Sequence, residues 1–232
     1  MIRTTQENMQ YLSSKLSKQL KRRFGKGPET CYVMQKGKRF YVYMRNFITP
    51  AEEVLISSNE LNLATNFRST VINTVVKDFI PEVETVLGNL YEYFRSDWDY
   101  DRNTGILLFE INNMVEEQIE VSFEKPLLKL LDEIGSKTHK KASCLKIVSY
   151  SQNICTIESQ KVLLQLERFV YQNGDFDLLL HQAREIKKEY MNCKHLFENI
   201  FNRSIEDIFI IWDYEKDRND IVFIFNKEYR EN

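Results

Sequence analysis

Apolar positions in this chain follow two rhythms, helical spacing and strand alternation, and these rhythms appear in the same order twice. In the first segment, residues 4–24, apolar residues recur three or four positions apart, which predicts a helix with one apolar stripe. Segments of alternating apolar and polar residues follow and predict strands. The elements predicted for the first half are a helix at Thr4–Phe24, strands at Glu29–Gln35 and Arg39–Met44, helices ending near Asn59 and spanning Asn62–Leu87, and a hairpin of Leu90–Tyr100 with Ile106–Ile111.

Two short signals refine the helices of the first half. Thr49-Pro50-Ala51-Glu52 has the spacing of a capping box, in which threonine and glutamate satisfy each other's backbone amides at a helix start. Pro81 lies inside the long helical segment and removes one backbone hydrogen bond, so we expect a kink or a break near Lys77–Ile80. Gly88 is the expected end of that helix.

The second half repeats this order. Trp98-Asp99-Tyr100-Asp101 returns as Trp212-Asp213-Tyr214-Glu215, a shift of 114 residues (212 − 98). At this shift, residue 163 is the position in the second half that corresponds to Thr49, and it is not a helix-capping residue. The elements predicted here are a helix within Glu116–Ser136 that starts at its beginning or at Lys125, strands at Ser143–Ser149 and Asn153–Glu158, helices at Gln160–Asn173 and Phe176–Phe201, and a hairpin of Ile205–Tyr214 with Ile221–Asn226.

The repeat predicts an α+β protein made of two tandem α-β-β-α-α-β-β units, residues 1–113 and 114–232. Each unit would form a four-stranded antiparallel sheet covered by helices. A single unit leaves sheet edges and one aromatic face exposed, and we therefore expect the units to pair as a pseudo-two-fold dimer.

Composition narrows the class of protein. The 232 residues are 43% hydrophobic and 28% charged, and no apolar run approaches the ~20 residues of a transmembrane helix. The start of the chain has no apolar signal region, and four cysteines without C-x-x-C spacing indicate reduced thiols. We therefore expect a cytoplasmic protein. A net charge of −2 argues against nucleic acid as a partner.

One charged segment is a candidate binding site. Basic residues crowd the end of the first helix and the Gly-Lys-Gly-Pro turn after it, where cations interact favourably with the helix dipole. They could form a solvated helix face, or bind an anion, a partner protein or a membrane face. The candidate anion- or partner-binding residues are Lys18, Arg22, Arg23, Lys26 and Gly27.

Other constellations do not indicate catalysis. Asp99, Asp101, Asn103 and Glu110 partly imitate a calcium loop, but the glycine is displaced by one residue and the flanks are strands, so an acidic hairpin turn is favoured. The three histidines lack metal-ligand spacing, and no nucleophile elbow is present. We expect no metal, no cofactor and no enzymatic activity.

Three segments resemble the MpsC-like family of short bacterial proteins, a family named after a component of a sodium-translocating, membrane-potential-generating system also connected with bicarbonate supply. They are Phe24-Gly25-Lys26-Gly27-Pro28-Glu29, Phe47-Ile48-Thr49-Pro50-Ala51-Glu52 and Trp98-Asp99-Tyr100-Asp101. The family also has an arginine in the following helix, here Arg68. The resemblance covers residues 5–112 and is faint over 115–228, where Lys140-Lys141-Ala142 replaces the glycine-rich turn.

The resemblance implies a non-enzymatic accessory or regulatory protein, linked to a membrane ion or bicarbonate transport system through protein contacts. A ligand-sensing or nucleic-acid-binding module that uses the basic first-helix face is the alternative hypothesis. A homodimer is also compatible with the pattern.

Overall fold

A computed structural model describes residues 5–89, 91–111 and 119–226, apart from the side chain of Glu92. The chain divides into two compact units, Met1–Val115 (unit 1) and Glu116–Asn232 (unit 2). Each contains a four-stranded antiparallel sheet with its own helices and its own apolar core. This confirms the predicted α+β class and the tandem arrangement of two units.

Unit 1 follows the predicted order of elements. The helices and strands are α1 (Thr5–Phe24), β1 (Thr30–Lys36), β2 (Arg39–Arg45), α2 (Pro50–Ser57), α3 (Leu61–Leu87), β3 (Tyr91–Asp99) and β4 (Thr104–Ile111). The sheet order is β1-β2-β4-β3, so β2 and β4 are central and pair from Arg39 with Glu110 to Arg45 with Thr104.

The core of unit 1 lies between the sheet and helices α1 and α3. Three leucines of the predicted stripe of α1, Leu12, Leu16 and Leu20, are buried, and they belong to the same apolar core as residues of β2 and β4. Ser13 of α1 also accepts a hydrogen bond from the β1 amide of Val33 at 3.1 Å. The helix therefore satisfies part of an edge strand as well as covering the sheet.

The capping box is present as predicted, because Thr49 caps α2 and Glu52 bonds back to the Thr49 amide. Helix α3 ends at Gly88, which adopts a left-handed φ of 72° that a glycine tolerates without strain. The predicted break at Lys77–Ile80 is wrong, since α3 continues through Pro81 as one helix. A kink without a break stays a prediction.

Unit 2 has the same topology with one additional helix boundary. Its elements are α4 (Glu124–Thr138), β5 (Cys144–Tyr150), β6 (Ile154–Gln160), α5 (Gln165–Gln172), α6 (Phe176–Asn192), α7 (Lys194–Phe201), β7 (Ile205–Asp213) and β8 (Arg218–Phe225). The sheet order β5-β6-β8-β7 reproduces that of unit 1. Of the two predicted starts for the first helix, the later one is confirmed.

The uniform shift of 114 residues is wrong for part of the chain. The first and last strands keep that shift, but β6 and α5 are displaced by 115 residues from β2 and α2 (154 − 39). The extra residue lies in the β5–β6 segment, where the pairing shifts register between Ile147 and Ser149. The counterpart of Thr49 is consequently Leu164 rather than residue 163.

Two predicted helix boundaries in unit 2 are also wrong. Residues 160–164 belong to the end of β6 and the following loop, so the predicted helix at Gln160–Asn173 starts only at Gln165. The predicted helix Phe176–Phe201 is divided at Cys193 into α6 and α7. Unit 2 loses its extra residue within this segment, because Phe201 is again 114 residues from Leu87, and the division accommodates that loss.

Within the described ranges, no helix combines the length and the apolar character that crossing a bilayer requires. The predicted pseudo-two-fold pairing of the units stays a prediction.

Candidate functional site

The three segments that carry the family resemblance converge on Arg68 of α3. This side chain is only 2% exposed, and Glu52 of α2, the acidic residue closest to it, is fully buried. Arg68 Nε donates to Glu52 Oε1 at 2.6 Å, and Nη2 donates to Glu52 Oε2 at 2.5 Å. Nη2 also donates to the Phe47 carbonyl at 3.1 Å. A bidentate pair of this kind fixes the orientation of both side chains.

Glu52 connects this ion pair to the start of α2. Its Oε2 atom accepts from the Thr49 amide at 2.9 Å and from the Thr49 hydroxyl at 2.7 Å. The capping box and the buried ion pair thus share one carboxylate. The Thr-Pro-x-Glu segment is therefore held by α3 as well as by its own helix start.

Aromatic rings enclose the Arg68 guanidinium. Its central carbon lies 4.0 Å from the ring centroid of Phe47, 4.6 Å from that of Phe24 and 4.9 Å from that of Trp98. Each ring belongs to a different motif segment, and a cation over an aromatic face is stabilised electrostatically. We call Arg68, Glu52 and these three rings the Arg68 cluster.

The β3–β4 turn also holds residues beside and within the Arg68 cluster in place. Asn103, in a left-handed conformation with φ of 54°, accepts from the Ile48 amide through Oδ1 at 2.9 Å. Gly105 pairs with Trp98 across the hairpin, and a β-carbon there would stand 2.2 Å from Cε3 of the indole. Only glycine leaves room for the Trp98 ring in this position.

Tyr100 completes the aromatic wall beside Phe47, with ring centroids 5.5 Å apart. Burial raises the pKa of Tyr100 to about 12, while the positive charge of Arg68 acts in the opposite direction. The phenol therefore stays protonated at neutral pH. A half-buried, neutral phenol beside an arginine that is already paired with Glu52 is suited to packing rather than to proton transfer.

The structure divides the predicted binding residues into two groups. Arg23 forms an ion pair with Asp78 at 3.0 Å, and the half-buried Lys26 donates to the Ile48 carbonyl at 2.9 Å. Gly27 packs closely against α1, where a β-carbon would stand 3.2 Å from the Ser17 carbonyl oxygen. Lys18 and Arg22 are exposed on α1. Ligand binding by these residues stays a prediction.

A shallow groove runs beside these cations, between α1 and the turn that follows it. Its volume is about 400 Å³. The polar and charged residues that line it include Ser14, Ser17, Lys18, Lys21 and Lys26. Lys21 is a member that the sequence analysis did not single out, although its spacing of three residues from Lys18 places both on one helix face.

Unit 2 has a counterpart of the Arg68 cluster that lacks the arginine. Glu167 bonds back to the Leu164 amide at 2.5 Å and accepts from Gln182 Nε2 at 2.6 Å, so glutamine takes the place of arginine. Burial raises the pKa of Glu167, and its hydrogen bonds partly counter that effect. The turn makes a similar hydrogen bond, because Asp217 Oδ1 accepts from the Leu163 amide at 2.8 Å.

His139, which ends α4, packs on Trp212 in unit 2. The two ring centroids lie 5.7 Å apart and nearly perpendicular, and the imidazole is also stacked against Tyr190. Burial lowers the pKa of His139 below its ordinary value of 6.5, and a backbone hydrogen bond with Lys140 partly offsets this. The imidazole is therefore neutral in the folded protein at neutral pH.

Comparison with known proteins matches the segment that forms unit 1 to one family. The family model described as "Na+-translocating membrane potential-generating system (MpsC)" matches residues 4–113. Searches of the curated proteins and of the solved structures returned no match to this chain. The resemblance to the MpsC family is thus confirmed for the first half of the chain, the half that contains the Arg68 cluster.

Proposed function

We propose that this chain is a non-enzymatic accessory or regulatory protein that acts in the cytoplasm, through protein contacts, on a sodium-translocating membrane system. The match of residues 4–113 to the MpsC family model supports the link to such a system. The proposal assigns no chemical step to the chain itself.

The burial of the Arg68 cluster is the observation that carries a non-enzymatic role. Arg68 and Glu52 are the two charged residues on which the family-like segments converge, and both are closed off from solvent. Their hydrogen bonds join them to each other, to the start of α2 and to the Phe47 carbonyl. In this proposal the exposed surfaces of the two units, rather than the buried cluster, make the contacts with partner proteins.

We also propose that unit 2 is a diverged copy of unit 1. The identical sheet order and the equivalent turn bonds of Asn103 and Asp217 support a common origin. Equivalent glutamates, Glu84 and Glu198, accept from the first amide of the following strand in both units. In this proposal both units keep the same fold, while the Arg68–Glu52 ion pair of unit 1 corresponds to a Gln182–Glu167 hydrogen bond in unit 2.

Removal of the chain from its host tests the proposed function. Inside-out membrane vesicles prepared without the chain should build a smaller sodium-dependent membrane potential, measured with a voltage-sensitive dye. Adding back the purified full-length protein should restore it. An unchanged potential in vesicles that lack the chain would contradict the proposal.

Three exposed cations of α1, Lys18 and Lys21 in the groove and Arg22 next to it in sequence, favour a second candidate function, a ligand-sensing or nucleic-acid-binding module. Binding through these residues would weaken steeply as salt is added, because counterions are released from a nucleic acid. A gel shift with single-stranded and duplex DNA, repeated with Lys18, Lys21 and Arg22 replaced together by alanine, tests this. A shift that the triple variant abolishes would favour the second function.

A further inference from the structure

The last turns of α1 carry an excess of positive charge. Between Glu7 and Glu29 the chain has six basic residues and no acidic ones. Lys18, Lys21 and Arg22 are exposed, and none of them takes part in an ion pair within the described part of the chain. Their spacing of three and four residues places them on one side of the helix, and we call them the α1 cationic face.

This face points away from the interior of unit 1. The buried leucines of the same helix, Leu12, Leu16 and Leu20, belong to the apolar core. At about 100° per residue, Lys18 lies about 160° around the helix from Leu16. The packing of α1 on the sheet therefore holds the cations in place and directs them towards solvent, where a ligand can reach them.

The groove beside the α1 cationic face is lined by hydrogen-bond donors. Its lining residues with polar side chains are Ser14, Ser17, Lys18, Lys21 and Lys26, and none of its described lining residues is a carboxylate. Lys26 donates to the Ile48 carbonyl, but its ammonium group keeps its charge and two further N–H donors. Ammonium and hydroxyl donors without a carboxylate beside them suit the oxygens of a phosphate group.

The acidic residues next to this end of α1 do not cancel its charge. Asp78 and Glu82 of α3 each pair with one basic residue of α1, and the carboxylate of Glu29 accepts from the side-chain amide of Asn46. Six basic residues set against these three acidic ones leave an excess of +3 (6 − 3). The chain as a whole has a net charge of −2, so positive charge is concentrated in this segment.

The size and composition of this surface favour a lipid leaflet over a nucleic acid. A nucleic-acid site needs a basic stripe that follows the backbone, with aromatic rings where bases are stacked. Lys18 and Arg22 are only about 6 Å apart along the helix axis, and the described residues that line the groove include no aromatic ring. A group of about four Lys and Arg residues is instead typical of sites that bind anionic lipids. We propose that the α1 cationic face, together with Lys26, docks this chain on the anionic headgroups of a membrane.

This inference deepens the proposed function and rests on it for the side of the membrane on which the chain acts. The cytoplasmic leaflet carries anionic lipids, and each Lys or Arg near it strengthens binding by about fivefold. Four cations together strengthen binding by a factor of about 600. A chain held reversibly at the leaflet meets a membrane-bound sodium system at a higher local concentration.

Co-sedimentation of the purified full-length protein with lipid vesicles tests the inference. One set of vesicles is phosphatidylcholine alone, and the other contains about 30% phosphatidylglycerol, which makes the surface anionic. The protein should bind the anionic vesicles, and it should bind the neutral ones at least about tenfold more weakly. Raising the salt from about 0.1 M to about 1 M should release it, because the Debye length falls from about 10 Å to about 3 Å.

Lys18→Gln, Lys21→Gln and Arg22→Gln combined should weaken binding to the anionic vesicles by about 100-fold, since three cations are lost. Glutamine is nearly as good a helix former as lysine, so α1 should remain folded, which circular dichroism checks. The matched control makes the same change in charge at three exposed lysines of unit 2, which are Lys125, Lys129 and Lys188. It should weaken binding by less than about fivefold.

Equal binding to the two kinds of vesicle, or an equal loss of binding in the two triple variants, would overturn the inference. Release of the protein by inorganic phosphate at constant ionic strength would assign the groove to a free phosphate, and tighter binding to duplex DNA would assign it to a nucleic acid. Either result would also overturn the inference. A chain that binds no anionic lipid but is still required for the sodium-dependent potential would leave the proposed function standing.

Discussion

Arg68 and Glu52 place two opposite charges in an interior that excludes water. Removing both from water costs several kcal/mol, and a buried pair recovers this only when its geometry is good and its remaining polar atoms are satisfied. Here the pair is bidentate, and Phe47 and Thr49 take up further hydrogen-bonding capacity. Loss of one partner would leave the other charge buried and uncompensated.

Replacement of Arg68 by methionine should therefore lower the free energy of unfolding by about 3–5 kcal/mol. Urea unfolding followed by tryptophan fluorescence measures this, since Trp98 lies in the same cluster. Arg23→Met is the matched control: the Arg23–Asp78 pair is largely exposed, and its loss should cost less than about 1 kcal/mol. Similar losses in the two variants would show that Arg68 has no special structural role.

His139 should make the protein less stable as the pH falls. Its folded-state pKa lies below the ordinary value of 6.5, so the unfolded chain takes up the proton first and unfolding is favoured below that pH. The loss should reach at most about 1.4 kcal/mol for each pH unit below 6.5. Urea unfolding at about pH 7.5 and 5.5, with His139→Gln for comparison, checks the sign. A wild-type protein that loses no more stability between the two pH values than His139→Gln does would contradict it.

Sequence reasoning reached some of these residues and missed others for a physical reason. The pairing of Thr49 with Glu52 follows from a spacing of three within one helix start. The pairing of Glu52 with Arg68 depends on how α2 folds back on α3, which local spacing does not reveal. The exposure of Leu166 and Phe169 was missed for the same reason, because both have the hydrophobicity of core residues.

At the scale of helices and strands, α2 and α5 form a natural comparison. Both start on an extended residue and have a glutamate three positions later, but Thr49 supplies a side-chain acceptor and Leu164 does not. Thr49→Ala should cost about 0.5–2 kcal/mol of stability. Thr70→Ala, which removes an exposed hydroxyl inside α3, should change stability by less than about 0.5 kcal/mol.

The reverse change in unit 2 should stabilise. Leu164→Ser would give α5 the side-chain cap that it lacks, and since Leu164 is already 39% exposed, only part of a leucine's burial is lost. We expect a gain of about 0.5–1 kcal/mol in unfolding free energy. Leu166→Ser, two residues further along the chain, should give no such gain. A loss of stability in Leu164→Ser would show that this leucine packs more tightly than its exposure indicates.

The helix boundaries show where pattern reading stops. The four strands of each unit and the end of α3 at Gly88 were predicted correctly, because alternating apolar residues and a left-handed helix cap are local properties of the sequence. The division at Cys193 and the displacement to 115 residues both arise from one inserted and one deleted residue. The repeat length was measured between one pair of tryptophans. An insertion and a deletion that cancel before Trp212 leave this length unchanged, so it does not reveal them.

At the scale of the whole molecule, one topology supports two different interiors. Unit 1 centres on a charged pair enclosed by rings, and unit 2 on a glutamate held by a glutamine. Both units nevertheless keep the same sheet order. The scaffold is therefore common to the units, while the motif residues stabilise unit 1 alone.

The most direct test of this account removes the charges of the Arg68 cluster without leaving one of them unpaired. In Glu52→Leu combined with Arg68→Met, apolar side chains of similar volume replace the ion pair, a change that is often neutral or stabilising. The measurement is the sodium-dependent membrane potential restored when this variant is added to vesicles that lack the chain. The account predicts restoration equal to that by the wild-type protein. A folded double variant that restores no potential would show that the cluster itself carries the function.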